Sequence, residues 1–202
     1  MDREPSLKHQ REKSKTVLHT AVLWGRVEHV AWLAAEAPEL ISLQDSEGYT
    51  PLHLVGQTLF LGDGKDGTLA FKIGKILIEA GASLTQRNCY GETPLFSLSV
   101  RANAKGGWQR LIKFMITHGA EPNAKDRRGD TFLHKLVHEL DAWSPIELVQ
   151  LLVENGADPN LTDARGKTPL DLANTFDGSL AREPIEPLIH YLEAVKSEEP
   201  EC

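Results

Sequence analysis

Three groups of residues in this 202-residue chain have types and spacings that could do chemistry. His134 and His138 lie four apart with Glu139 adjoining, which puts both imidazoles on one face of a helix and could in geometry hold a metal ion. Spacing supplies no third ligand, so no metal site is expected. Gly62-Asp63-Gly64-Lys65-Asp66-Gly67 has the glycine content of a phosphate loop. It lacks the Gly-Lys-Ser/Thr ending that places a lysine and a metal-binding hydroxyl, and reads as a flexible surface connection. Cys89 and Cys202 are the only cysteines, and neither has a histidine beside it in a recognisable catalytic signature. Cys89 is expected to be an exposed thiol. The chain is therefore read as non-enzymatic, with no cofactor and no metal.

The elements that must position these residues are announced by one segment written several times. Gly48-Tyr49-Thr50-Pro51-Leu52-His53 recurs as Gly91-Glu92-Thr93-Pro94-Leu95-Phe96, Gly129-Asp130-Thr131-Phe132-Leu133-His134 and Gly166-Lys167-Thr168-Pro169-Leu170-Asp171. A degenerate first copy is Thr16-Val17-Leu18-His19. Each copy should start a helix: glycine permits a tight turn, threonine caps the exposed amides, proline suits the first helical position, and leucine faces inward. A second signature follows three of the copies, at Gly81-Ala82, Gly119-Ala120 and Gly156-Ala157, where glycine can close a helix.

These linked boxes resemble the ankyrin-repeat family, over roughly Ser14 to Val195. The resemblance implies an all-α solenoid of five stacked antiparallel helix pairs with β-hairpin fingers, the first and last units being atypical caps. It also gives the box histidines His19, His53 and His134 a structural place, as hydrogen-bonding bridges between neighbouring backbones. Residues 1–13 read as a polar tail and 196–202 as an acidic one, flanking a repeat domain over 14–195. From each closing glycine to the next threonine the distance is always twelve residues, which fixes the finger length. From threonine to closing glycine the spans are 31, 26 and 25 residues in repeats two to four, against 21 from Thr16 to Ala37 in repeat one. The extra length falls between the helices of a pair, on one edge of the molecule. A small enzyme or ligand-binding protein that builds its pocket from these insertions is the alternative reading.

In the first repeat, Leu18, Ala21 and Val22 are expected on the core side of one helix and Val27, Val30, Trp32 and Leu33 on that of the next. Five inter-helix aromatics, Phe60, Phe71, Trp108, Trp143 and Phe176, are expected to form a satellite core, with an exposed peptide-binding strip as the alternative. Trp143 is also placed to staple against Leu148.

The family resemblance further implies that finger tips and the solvent-facing ends of first helices contact a partner protein. Counted from each threonine, these positions are Leu23 and Trp24 in repeat one, Glu47 and Tyr49 in the first finger, Tyr90 and Glu92 in the second, and Arg101 at a helix end. Arg127 and Arg128 follow in the third finger, and Arg165 and Lys167 in the fourth. Trp24 would anchor a partner, pack beneath the N-terminal tail, or stand as an incidental exposed residue. Fingers grade from acidic and tyrosine-bearing to basic, which suits a partner with an acidic segment. Scattered solvated charges, partly paired with Asp126, Asp130 and Asp163, are the simpler account of the same residues.

Composition excludes several other classes. Charged residues make up 25% and hydrophobic residues 41%, with no apolar run able to span a membrane. A net charge of −7 opposes nonspecific nucleic-acid binding. Two cysteines and no signal-peptide pattern suggest a reducing compartment, cytoplasm or nucleus. The sequence leaves the oligomeric state open.

Overall fold

The structure is a computed structural model, which describes residues 15–60, 67–98, 106–138, 146–175 and 186–197. Its helices are α1 (Val17–Leu23), α2 (Val27–Glu36), α3 (Thr68–Glu79), α4 (Gly107–Thr117), α5 (Phe132–His138), α6 (Ile146–Glu154), α7 (Pro169–Asn174) and α8 (Glu186–Ser197). Two 3₁₀ segments, Pro38–Ser42 and His53–Phe60, complete the regular structure, and there is no strand among the described residues.

The threonine box begins each unit as its chemistry dictates. The Thr16 hydroxyl accepts the His19 amide at 3.3 Å, while His19 Nδ1 accepts the Thr16 amide at 3.2 Å. Thr168 and Asp171 repeat this reciprocal cap at the start of α7, at 3.1 and 2.9 Å. Two boxes depart from the expected α-helix. The second opens the 3₁₀ segment, where Gly56 and Thr58 are poor helix formers, and the third forms only a turn through residue 98. At the far end of α3, α4 and α6 the closing glycines adopt φ of 93°, 101° and 91°. The alanine after each donates its amide to a carbonyl five residues back, at 2.9 Å in all three cases, which satisfies carbonyls the helix leaves open.

Two rows of elements result. The first-position elements run α1, the 53–60 segment, the Thr93 turn, α5 and α7, while α2, α3, α4, α6 and α8 form the second row, each packed on the next. One continuous core fills the space between them, from Leu18 and Val22 through Ile73, Leu77, Leu111 and Met115 to Leu152, Leu188 and Leu192. Trp108 is wholly buried in it. Phe71 is half-buried, edge-on to Phe114 at 6.0 Å, with the Arg110 guanidinium 4.4 Å above its ring. Trp143 and Phe176, and the side chain of Phe60, lie outside the described residues.

Trp32 corrects the core expectation for repeat one. Val30 is buried and Val27 and Leu33 are partly so, but Trp32 is 63% exposed. Its position needs a neighbour on the outer side of α2 to cover it, and none of the described residues does so.

The N-termini of α3 and α4 meet with unusual closeness. A Cβ at Gly107 would lie 2.1 Å from the Gly67 carbonyl carbon and 2.3 Å from the Thr68 nitrogen. Both are backbone atoms, so no rotamer change can relieve the clash. Gly107→Ala is expected to lower the unfolding free energy by about 1–3 kcal/mol, read from the urea midpoint at constant slope.

Candidate functional site

The fingers are hydrogen-bonded turns of one design. In each, an Asp or Asn five residues before the box threonine accepts two later backbone amides with Oδ1. Asp45 takes those of Glu47 and Tyr49 at 2.9 and 3.0 Å, and Asn88 those of Tyr90 and Glu92 at 2.9 and 3.0 Å. Asp126 takes those of Arg128 and Asp130 at 2.7 and 2.9 Å, and Asp163 those of Arg165 and Lys167 at 2.8 Å each. This is the side-chain mimic of a backbone turn that Asp and Asn favour. Successive fingers are then tied together by amides donated from Cys89 to Glu47, Arg127 to Tyr90 and Ala164 to Arg128, at 2.9, 3.0 and 3.0 Å.

Long side chains brace the same row. Gln44 donates to the Gly48 and Arg87 carbonyls, Arg87 to those of Gly91 and Lys125, and Lys125 to that of Thr162. Arg87 and Lys125, which extend the basic gradient in the sequence, are thus occupied in holding fingers in register. Arg127, Arg128 and Arg165 are exposed and form no ion pair among the described residues. Asp126 and Asp163 serve backbone amides rather than guanidinium groups.

The box histidines bridge each unit to the next finger. Thr50 presents its amide to His53 Nδ1 at 3.1 Å, so that nitrogen is unprotonated, and Nε2–H donates to the Glu92 carbonyl at 3.1 Å. His19 and His134 do the same toward the Tyr49 and Lys167 carbonyls, at 2.9 Å each. Burial lowers the pKa of His53 from 6.5 to about 4, against the opposing pull of the Glu92 carbonyl, and lowers that of His19 as well. Both ring nitrogens of His134 are engaged in this way, by Thr131 and by the Lys167 carbonyl, and no group of three His, Cys, Asp or Glu among the described residues is arranged to hold a metal.

The third box breaks this pattern with Phe96, and there the surface becomes concave. A groove of about 740 Å³ opens between the finger tips and the first-row elements. Glu47, Cys89, Tyr90, Arg127, Arg128 and Arg165 line it from the fingers, and Phe96, Lys135 and His138 from the first-row elements. The Phe96 ring leans on Phe132 at 6.5 Å, and Lys135 lies 5.2 Å above it while donating to the Phe96 carbonyl at 2.7 Å. Asp130 also lines the groove; burial, then the neighbouring Asp126, raises the pKa of its carboxyl. Asp163, outside the groove, is shifted the other way, chiefly by the Lys167 amide.

Of the residues the sequence singles out, Glu47, Tyr90, Glu92, Arg127, Arg128 and Arg165 converge on this groove. Tyr49 is half-buried beneath it, edge-on to His53 at 5.9 Å and tilted against Tyr90 at 6.2 Å. Burial, then the Glu92 charge, raises its phenol pKa and keeps it protonated. Lys167 is exposed but stands outside the groove lining, and Leu23 packs partly into the core. Trp24 lines a separate groove on the free face of repeat one, and Arg101 lies outside the described residues. Phe96 and Lys135 had not been singled out. Their signal was present, since one replaces the box histidine and the other fills the variable position after it.

Helix pairs in two rows, linked by histidine bridges and side-chain-capped turns, define a repeat protein. A family model described as ankyrin repeats, in three copies, matches residues 66–163, and this part of the chain is built of ankyrin repeats. Ankyrin repeats are in general protein–protein interaction modules, typically without catalysis. Among the described residues no helix is long and apolar enough to cross a membrane.

Proposed function

We propose that this chain is a non-catalytic protein-binding module, an adaptor, inhibitory or recognition subunit, that receives a segment of a partner protein in the finger groove. The observation that carries the reading is the convergence of three arginines, Arg127, Arg128 and Arg165, that form no ion pair among the described residues, on a groove that Phe96 also lines. Such a site suits an extended segment with acidic side chains along the arginine wall and an apolar side chain over Phe96. The finer architecture belongs to the same proposal: a solenoid over 14–195 with hairpin-like fingers and polar tails at 1–13 and 196–202. So does a partner that is protein rather than nucleic acid, met in cytoplasm or nucleus, in keeping with the net charge of −7 and two cysteines. Bracing of the fingers before binding would limit the ordering entropy lost on docking.

Peptide display against the full chain tests the proposal directly. Enriched sequences should carry Asp or Glu beside a large apolar residue. Binding of a selected peptide should slow on rate about tenfold or more, and lose salt dependence, in the double variant Arg127→Glu/Arg128→Glu. An unchanged on-rate in that variant would overturn the groove assignment.

A further inference from the structure

Charge changes sign along the row of fingers that lines the groove. Glu47 stands on the first finger and Glu92 on the second, Arg127 and Arg128 are consecutive on the third, and Arg165 is on the fourth. The three arginines are exposed. Their backbones are set before any partner arrives. Arg127 donates its amide to the Tyr90 carbonyl at 3.0 Å, and Ala164, the residue before Arg165, donates its own to the Arg128 carbonyl at 3.0 Å. The acids nearest to them in sequence are committed elsewhere. Asp126 accepts the amides of Arg128 and Asp130, Asp163 accepts those of Arg165 and Lys167, and Asp130 is only 8% exposed. The basic end therefore holds three positive charges in one small region with no carboxylate paired to them among the described residues.

We infer, building on the protein-binding role proposed for this groove, that its basic end recognises a phosphorylated serine or threonine of the partner, with neutral or basic residues of the same segment lying toward Glu47 and Glu92. A carboxylate brings one negative charge and engages one guanidinium as a bidentate fork. A phosphate monoester brings about 1.5–2 negative charges at neutral pH and three strong acceptor oxygens, enough to engage guanidinium groups from both fingers at once. Arginine clusters suit this chemistry because their donors form a rigid fork that matches phosphate oxygens. Side-chain length follows from where the arginines stand. They are exposed on the fingers while Phe96 is buried, so a phosphate on a short side chain meets them with the partner backbone lying along the row. A phosphate at the end of a tyrosine ring would need basic groups deeper in the groove, and Lys135, which lines it from the first-row elements, already donates to the Phe96 carbonyl at 2.7 Å. A nucleic-acid strand fits less well, because its successive phosphates would run on toward Glu47 and Glu92.

Retention of degenerate peptide libraries on the immobilised full chain tests the inference. The central residue is fixed in turn as phosphoserine, phosphothreonine, phosphotyrosine, serine or glutamate. The phosphoserine or phosphothreonine library should be retained about tenfold or more above the serine library and about threefold or more above the glutamate library, with Lys or Arg enriched on one flank only. For a single selected phosphopeptide, the double variant Arg128→Gln/Arg165→Gln should cut the advantage of the phosphorylated over the unphosphorylated form to about twofold or less. Its circular dichroism should match the wild type, since both side chains are exposed. Glu47→Gln should erase the preference for a basic flank. Equal retention of the phosphorylated and glutamate libraries would overturn the inference, as would a preference for phosphotyrosine or displacement of the phosphopeptide by an equal concentration of a single-stranded RNA oligonucleotide. The groove reading is judged apart from this. An acidic peptide whose on-rate still falls in Arg127→Glu/Arg128→Glu, with no gain from phosphate, keeps the groove and removes phosphate recognition alone; an on-rate unchanged in that variant removes both.

Discussion

Trp108→Ala is expected to lower the unfolding free energy by about 3–5 kcal/mol, the largest loss from truncating any one of the described side chains. Trp108 is fully buried where the second-row helices α3 and α4 meet, and it is the bulkiest of the wholly buried side chains. Its indole lies against Gly67, so close that a Cβ there would fall 2.5 Å from Cδ1. The backbone contact between Gly107 and Gly67 fixes the two helices, which leaves little room for the site to collapse around a smaller residue. The cavity should therefore persist, and its cost adds to the lost transfer energy. Trp108→Phe should lose distinctly less, because the indole Nε1–H has no acceptor among the described residues and no bond to them disappears with it. Urea unfolding of the two variants checks both statements. A loss below about 1 kcal/mol for the alanine variant would mean that this junction does not hold the array together.

Stability should also fall as the solution is acidified from neutral toward pH 4, and His53 should account for most of the fall. Its pKa drops from 6.5 to about 4 on folding because burial disfavours the imidazolium. Below 6.5 the unfolded chain takes up a proton that the folded chain refuses. The contribution is thus complete above pH 6.5 and lost progressively down to about 4, where it amounts to about 3 kcal/mol. His19, shifted in the same direction, adds to the slope. Asp130 works against it at the acid end, since its raised pKa means that protonation there favours the folded state. His53→Phe places at the second box the residue that the third box already carries. It should flatten the curve between about pH 7 and pH 4, at the cost of the bond to Glu92. Denaturant midpoints across that range would show it, and an unchanged slope would remove His53 as the cause.

Much of this arrangement was legible in the sequence because it was written four times. Threonine, leucine and the glycines build the same local structure wherever they recur, and repetition separates them from accident. Other features were present but disguised. Asp45, Asn88, Asp126 and Asp163 read as surface polar residues, yet their oxygens lie under the fingers holding amides, with Asp45, Asn88 and Asp163 buried. Phe96 reads as a damaged box, and only the fold shows that it lines a groove beneath the fingers. Trp32 misleads for a different reason. Helical periodicity reports which side of a helix could be buried, while actual burial needs a neighbour, which a single unit's pattern does not supply.

The bracing of the fingers separates two kinds of change. Their register depends on main-chain bonds and on Gln44, Arg87 and Lys125, whereas Cys89, Tyr90, Arg127, Arg128, Ala164 and Arg165 are exposed. Exchanging those exposed residues leaves every strut in place. The row behaves like a type rack with fixed slots, in which the message can be reset letter by letter without rebuilding the frame.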